Sequence, residues 1–294
     1  MMNNYKLQRL LGTDTLLPYW LLLPSFLYLL VFFMSPLVNA IGLAFRTDNG
    51  VFTMQYFLQL FHDLNFGSAL KYTFLLVAII VPVQLVTALV IALLVNTGFK
   101  GSRFFLYICT IPLGIADLAA GLIWLSIFAQ HGYLNSALYS LGVINKPIYF
   151  ISYHNISFVF WAIVIAEHWR ATAIVLVNLV AGLQMISKDY LEAAEVLGAR
   201  PWQRLRYVIL PLLKPAIQSA LIIRTILAIQ MFAVVIALGG QLVPVLAGES
   251  YFWYSLYRSY HMAATYAVLL MALSIIITWF YMWFFRPKAG MVER

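Results

Sequence analysis

The sequence predicts an all-α membrane protein of six transmembrane helices with both termini on the cytoplasmic side. The 294 residues are 64% hydrophobic and 10% charged, with a mean hydropathy of +0.90. A soluble domain of this length needs far more polar residues to cover its surface. Six apolar runs, at 19–45, 69–97, 104–129, 157–184, 212–238 and 263–285, each reach the length of about 20 residues that crosses a hydrocarbon core. The basic residues set the orientation. With the N-terminus inside, the cytoplasmic segments hold Lys6, Arg9, Lys100, Arg103, Lys188, Arg200, Arg204, Arg206, Lys214, Arg286, Lys288 and Arg294, against Arg46, Lys71, Lys146 and Arg258 outside. Cytoplasmic loops carry the excess of Lys and Arg, and six crossings return both ends to one side.

The elements follow in order. Residues 1–18 are a mixed polar tail with Lys6, Arg9 and Asp14, and the apolar run behind it is too long for a signal-peptide core, so no cleaved signal is expected. Pro24, Pro36, Pro82 and Pro112 predict kinks or helix ends in the first three spans. The outer loop 46–68 has helical periodicity in Phe52-Thr-Met-Gln-Tyr-Phe-Leu-Gln-Leu-Phe61, and the outer loop 130–156, with Gly132, Gly142 and Pro147, reads as irregular. A third outer segment occupies 240–262, and a short cytoplasmic tail, 286–294, closes one membrane domain over 19–285. The formal charge of +8 reflects topology rather than a nucleic-acid partner, and Cys109, the single cysteine, excludes an intrachain disulfide.

The polar segment 186–207 between the fourth and fifth spans is the long hydrophilic stretch able to form helices in the cytoplasm. Ser187 suits an N-cap, with Asp189 at the positive end of the helix dipole. Gly198 fits the left-handed position that ends a helix, and Pro201 the first turn of the next. Pro211 and Pro215 are expected to bend the chain as it re-enters the bilayer. The product is helix, glycine elbow, helix. Ala193 and Ala194 make it slim enough to enter a cleft, and Glu192 and Glu195 offer carboxylates. The plainer alternative is an amphipathic loop held against the headgroups by its arginines.

Glu192-Ala-Ala, then Gly198, then Ile209-Leu-Pro211, with a span on each side, resembles the coupling loop of permease subunits of type I ABC importers, specifically the carbohydrate branch that includes maltose and glycerol-phosphate permeases. Ala181-Gly-Leu-Gln-Met-Ile-Ser-Lys-Asp-Tyr-Leu-Glu-Ala-Ala194, Ile111-Pro to Trp124 and Gly132-Tyr-Leu-Asn135 extend the likeness over nearly the whole chain. The family usually has Asp before the loop glycine and Pro after the Ile of the approach; Leu197 and Ser187 stand there. The resemblance implies that Glu192, Ala193, Ala194, Gly198, Arg200 and Pro211 serve ATPase coupling. It also implies a second homologous permease, two cytoplasmic ABC ATPase subunits, an extracellular sugar-binding protein and a prokaryotic plasma membrane. ATP and Mg would be bound by the ATPases, with no cofactor on this chain.

A charge at the bilayer centre costs about 2.5–3.5 kcal/mol on insertion scales, so Asp117, Glu167, His168, Arg170 and Arg224 each need a partner or a task. By resemblance Glu167 and Trp169 face the translocation path, with Arg170, Arg224 and Gln230 as further candidates. Carboxylates, amides and aromatic faces suit sugars. The alternative makes Glu167 an ion-pair partner of Arg170 or Arg224, and Asp117 reads first as a structural partner of Arg170 or Arg224. Thr225 reads as packing, and His131 and His261 as solvated. No phosphate loop, metal-spaced His/Cys cluster or Gly-x-Ser-x-Gly occurs, which predicts a non-catalytic subunit. The short outer loops leave no room for an extra external domain, which favours a hexose or short glucoside. Two rivals remain: an ABC permease for a non-sugar solute, and a stand-alone secondary transporter, which would need inverted repeats or coupling-ion residues.

Overall fold

A computed structural model describes residues 13–284; residues 1–12 of the first expected tail, residue 285 and the tail 286–294 lie outside the described residues. Within them all regular structure is helical apart from one isolated bridge, Arg46 to Phe52. Five helices are long and apolar enough to cross a membrane: Pro18–Phe45, Phe66–Asn96, Ile156–Gln184, Pro201–Ile229 and Tyr260–Phe284. A bent pair makes the sixth if counted as one span.

The first crossing joins α1 (Thr13–Leu29) to α2 (Ser35–Phe45) through a π turn, Leu30–Met34. A second π turn, Leu205–Ile209, joins α10 (Pro201–Arg204) to α11 (Leu210–Ile229). Both have the same local cause. A proline ring collides with the carbonyl four residues earlier. Phe32 and Tyr207, four before Pro36 and Pro211, sit at the centre of the two wide turns. Widening the helix moves that carbonyl aside without breaking the rod. The bend expected at Pro211 is therefore a π turn, and the second loop helix runs unbroken into the span.

Two expected spans are corrected. The run 104–129 is α5 (Ser102–Thr110), a 3₁₀ turn over Ile111–Gly114 and α6 (Asp117–Phe128), bent by 102°. Pro112 lacks an amide hydrogen, and Ile115 and Ala116 are extended (ψ 126° and 144°), so the helix cannot continue. The run 212–238 ends at Gln230, after which α12 (Ala233–Gly239) is a separate short helix. Apolarity persists through both breaks, so hydropathy alone does not reveal them.

The segments expected on the outer side hold more helix than periodicity predicts. α3 (Gln55–His62) falls where expected in 46–68. The segment 130–156, expected to be irregular, contains α7 (Tyr133–Ser140), and 240–262 contains α13 (Leu246–Ser255). Asn135 organises the first of these: its amide donates to the carbonyls of Gln130 (3.1 Å) and Ile148 (2.9 Å) and accepts from the Ile148 amide (2.9 Å). The remaining helices are α4 (Phe66–Asn96), α8 (Ile156–Gln184), α9 (Lys188–Val196) and α14 (Tyr260–Phe284).

The span α8 is the most deeply packed, between α4 and α11. Leu76, Ile80, Phe128, Ile163 and Val235 form one buried cluster around it, and Ala88, Leu176, Leu179 and Leu213 another towards the 186–207 segment. Small residues allow the contact. A Cβ on Gly182 of α8 would lie 2.3 Å from the Ala216 Cβ of α11, whereas one on Gly67 of α4 would meet nothing within 4 Å. Gly182→Val should therefore lower stability by about 1–3 kcal/mol through overpacking, while Gly67→Ala should be neutral or stabilising by up to about 1 kcal/mol. Thermal unfolding in detergent checks both, and equal effects would contradict the packing.

Candidate functional site

Three polar regions stand out: a charge network inside the helix bundle, a cavity beside Gln230, and the 186–207 elbow. The network starts on α8, where Glu167 and Arg170 are one turn apart. Glu167 Oε1 accepts from Arg170 Nη2 at 2.9 Å and from Arg224 Nη2 of α11 at 2.8 Å, and Oε2 accepts from Arg170 Nε at 3.2 Å. Gln84 of α4 closes the inner end. Its Oε1 accepts from Arg224 Nε at 2.5 Å, and its Nε2 donates to the Glu167 carbonyl at 2.9 Å. Arg170 Nη1 reaches Asp117 Oδ1 of α6 at 2.8 Å. The chain Gln84–Arg224–Glu167–Arg170–Asp117 thus ties four helices together with two cations and two anions. Arg224 Nη1 is buried without a hydrogen-bond partner.

This geometry gives Glu167 both of its candidate ion-pair partners. Gln84, Glu167 and Arg224 are each 0% exposed, so in this conformation the inner end of the network is closed. Glu167 pairs with both candidate arginines, because a carboxylate withdrawn from water needs the full complement of donors. Asp117 takes Arg170 rather than Arg224, and its side chain remains 53% exposed while that of Arg170 is 12% exposed. Trp169 is partly exposed and meets Trp124 edge to face at 6.0 Å. Thr225, read as packing, lies 3.1 Å from the Tyr281 hydroxyl.

Gln230 lies elsewhere, exposed at the end of α11 and lining a cavity of about 720 Å³ with Phe232, Ala247, Ser250, Ser274 and Trp279. Glu167, Trp169 and Arg170 are absent from its walls. His261 is not simply solvated: Nδ1 is 2.8 Å from the Leu43 carbonyl, Nε2 is 2.9 Å from Asp48 Oδ1, and the ring stacks on Tyr56. Sequence reasoning missed Gln84, for which its place as a buried amide in an apolar run was the available signal. It also missed Glu249, 1% exposed in α13.

At the elbow, the Ser187 hydroxyl accepts from the Asp189 amide at 3.3 Å. Gly198 has φ +77°, its amide donates to the Glu195 carbonyl (2.8 Å), and the Ala199 amide donates to the Ala194 carbonyl (2.9 Å). That pair of bonds is a Schellman motif with glycine in the left-handed position. The Arg200 amide donates to Gln203 Oε1 at 2.7 Å and Pro201 begins α10. Glu195 pairs with Arg204 across the elbow, so its carboxylate is committed within the chain. Glu192, Ala193 and Arg200 are exposed, and Ala194 is buried. Val196 and Leu197, 88% and 86% exposed, form an apolar tip.

Residues 84–287 match the family described as the inner membrane component of binding-protein-dependent transport systems. The chain belongs to this family. This inner membrane component is 31% identical over 246 residues to the trehalose/maltose transport system permease protein MalF of Thermococcus litoralis, covering 81% of this chain and 82% of that protein. It is 28% identical over 222 residues to the lactose transport system permease protein LacF of Rhizobium radiobacter, covering 72% and 73% of the two chains. A chain in the crystal structure of a bacterial ABC transporter importing the acidic polysaccharide alginate shares the fold, with a TM-score of 0.83 over 97% of this chain and 100% of that one at 20% identity. The permease is thus a multi-pass protein of the inner membrane.

The network makes a quantitative prediction for the permease. Arg224→Met leaves the Glu167 carboxylate with one cation, and Glu167→Met strands Arg224; each should cost about 3–5 kcal/mol. The double variant should cost well under the sum, because no charge is then stranded between α8 and α11. A double-mutant cycle on thermal unfolding measures the coupling, and strict additivity would remove the ion pair from the account.

Proposed function

We propose that this chain is a permease subunit of an ATP-driven sugar importer, with both termini in the cytoplasm. It forms half of the translocation path beside a second homologous permease. Two cytoplasmic ABC ATPase subunits drive it, and an extracellular sugar-binding protein delivers a hexose or short glucoside. The observation that carries the reading is the Gly198 elbow, whose exposed Glu192, Val196 and Leu197 project between two spans of a family member. Relatives transport trehalose/maltose and lactose by name, and the distribution of basic residues supports the orientation.

The mechanism follows from mechanical continuity. Ala193 is exposed and Ala194 buried on a slim helix, and Arg200 and Glu192 offer charge to an ATPase cleft. The Glu195–Arg204 pair and the Schellman bonds make α9 and α10 one rigid elbow. From Pro201 to Ile229 the helix runs 29 residues, roughly 43 Å at 1.5 Å per residue. A push on the elbow as the ATPases close is delivered along that rod, through the π turn before Pro211, to Arg224 and Gln230. Arg224 passes it to α8 through Glu167. The two permeases then rock between inward-open and outward-open states, and sugar moves past Gln230. Trp169 and the exposed Asp117–Arg170 end of the network present an aromatic face and polar groups to the same route in the states where it opens.

Glu192→Arg should leave a folded, membrane-inserted permease whose complex no longer accelerates ATP hydrolysis on adding loaded binding protein. Gly198→Pro should do the same, because φ +77° is closed to proline. Normal stimulated ATPase and uptake in both would refute the coupling role. In a Cys109→Ser background, a cysteine at position 195 should be labelled only from the cytoplasmic side and one at 139 only from outside. Gln230→Ala should raise the KM for sugar by roughly two- to tenfold, the loss of one neutral hydrogen bond of about 0.5–1.5 kcal/mol.

A further inference from the structure

The outer end of the bundle holds a second buried polar cluster that the transport reading does not use. Asp63, which ends α3, accepts from the Asn65 amide at Oδ1 (3.0 Å), and at Oδ2 from Trp253 Nε1 and the Tyr266 hydroxyl (2.8 Å each). Its carboxylate is fully satisfied and ties α3, α13 and α14 together. Glu249 of α13 lies beside it, 1% exposed. Glu249 Oε2 receives only a 3.5 Å contact from Asn65 Nδ2, and Oε1 has no partner. Among the described residues no Lys, Arg or His forms an ion pair with it. His62 faces its own helix, 2.7 Å from the Leu58 carbonyl, and the titratable groups facing Glu249 are Asp63 from the α3–α4 turn and Tyr266 from α14.

A carboxyl withdrawn from water, short of donors and beside another carboxyl is costly to ionise. Asp63 takes three donors and Glu249 is left with one long contact, an environment that favours the neutral acid over the carboxylate. Burial raises the Glu249 carboxyl above the ordinary carboxylate range, the Asn65 contact opposes this, and the charge on Asp63 adds to it. The position of α13 gives the proton a consequence. The Leu246 amide is anchored to Thr73 Oγ1 of α4 at 3.0 Å, and Ala247 and Ser250 on the same helix line the Gln230 cavity.

We propose that Glu249 is a positioning residue for transport, held as a neutral carboxylic acid that fixes α13 as the outer wall of the Gln230 cavity. The proposal rests on reading that cavity as part of the sugar route. The proton moves between the Glu249 carboxyl and bulk water on the outer side, and nothing else is transferred. Because burial raises the folded-state pKa, this stabilisation is complete below the ordinary carboxylate range and is lost as external pH rises through the raised value.

The test uses the assembled transporter in nanodiscs. Hydrogen exchange of segment 246–255, corrected for intrinsic rates, should quicken by up to about tenfold per pH unit as external pH rises, and the KM for sugar should rise in parallel. Glu249→Gln, a neutral isostere, should keep the wild-type low-pH protection at every pH, with uptake to match. Wild-type exchange that is flat with pH, or Glu249→Gln that loses protection throughout, would overturn the proposal. Gln230→Ala separates the two readings: an unchanged KM there removes the sugar-route assignment of the cavity, whereas the exchange profile of 246–255 bears on Glu249 alone.

Discussion

Removing the Arg224 guanidinium and the Glu167 carboxylate from water inside a membrane domain places a demand on every helix around them. Arg224 and Glu167 are fully buried, and neither is tolerable without the other. Meeting that demand fixes the relative rotation of four helices, since Gln84, Asp117, Glu167 with Arg170, and Arg224 each come from a different one. Apolar packing between membrane helices is a weak guide to rotation, because lipid is as apolar as the neighbouring helix. A directional network supplies what packing does not. It also grades from closed to open: Gln84 and Glu167 are sealed, and Asp117 at the far end is half exposed.

The second constraint is continuity. A proline in a helix interior ordinarily breaks or kinks it. At Pro36 and Pro211 the chain answers with a π turn, so the rod survives. At Pro112 it answers with a break of 102°. The difference lies in the following residues: Pro211 is followed by Leu-Leu-Lys, which sustain a helix, whereas Gly114 and extended Ile115 and Ala116 follow Pro112. The elbow at Gly198 is thereby joined to a stiff rod rather than to a hinge. The same rod bears Arg224, so the helix that leaves the elbow also carries part of the electrostatic network.

The loops on the side away from the Gly198 elbow are organised by hydrogen bonds of another kind. Asn135 serves the backbone of one loop, Asp63 collects donors from three elements, and His261 bridges Leu43 and Asp48. Beside the apolar packing of Leu60, Phe66 and Leu246, each of these side chains supplies partners for backbone or side-chain polar groups that burial would otherwise strand.

Local signals were legible in the sequence: the apolar lengths of four of the six expected spans, the Ser187 cap, the left-handed Gly198 and the Pro201 start each depend on adjacent residues, and the structure has them where expected. The glutamate of the fourth span could be seen to need a partner, but Arg170 and Arg224 were equally available by spacing. Long-range geometry alone decided that Glu167 takes both, and that Gln84, 83 residues away, completes the set. The break at Gln230, the helices α7 and α13 and the burial of Glu249 were equally hidden. Hydropathy measures whether a segment can leave water, whereas these features depend on which segment it then meets, and that is set only when the helices pack.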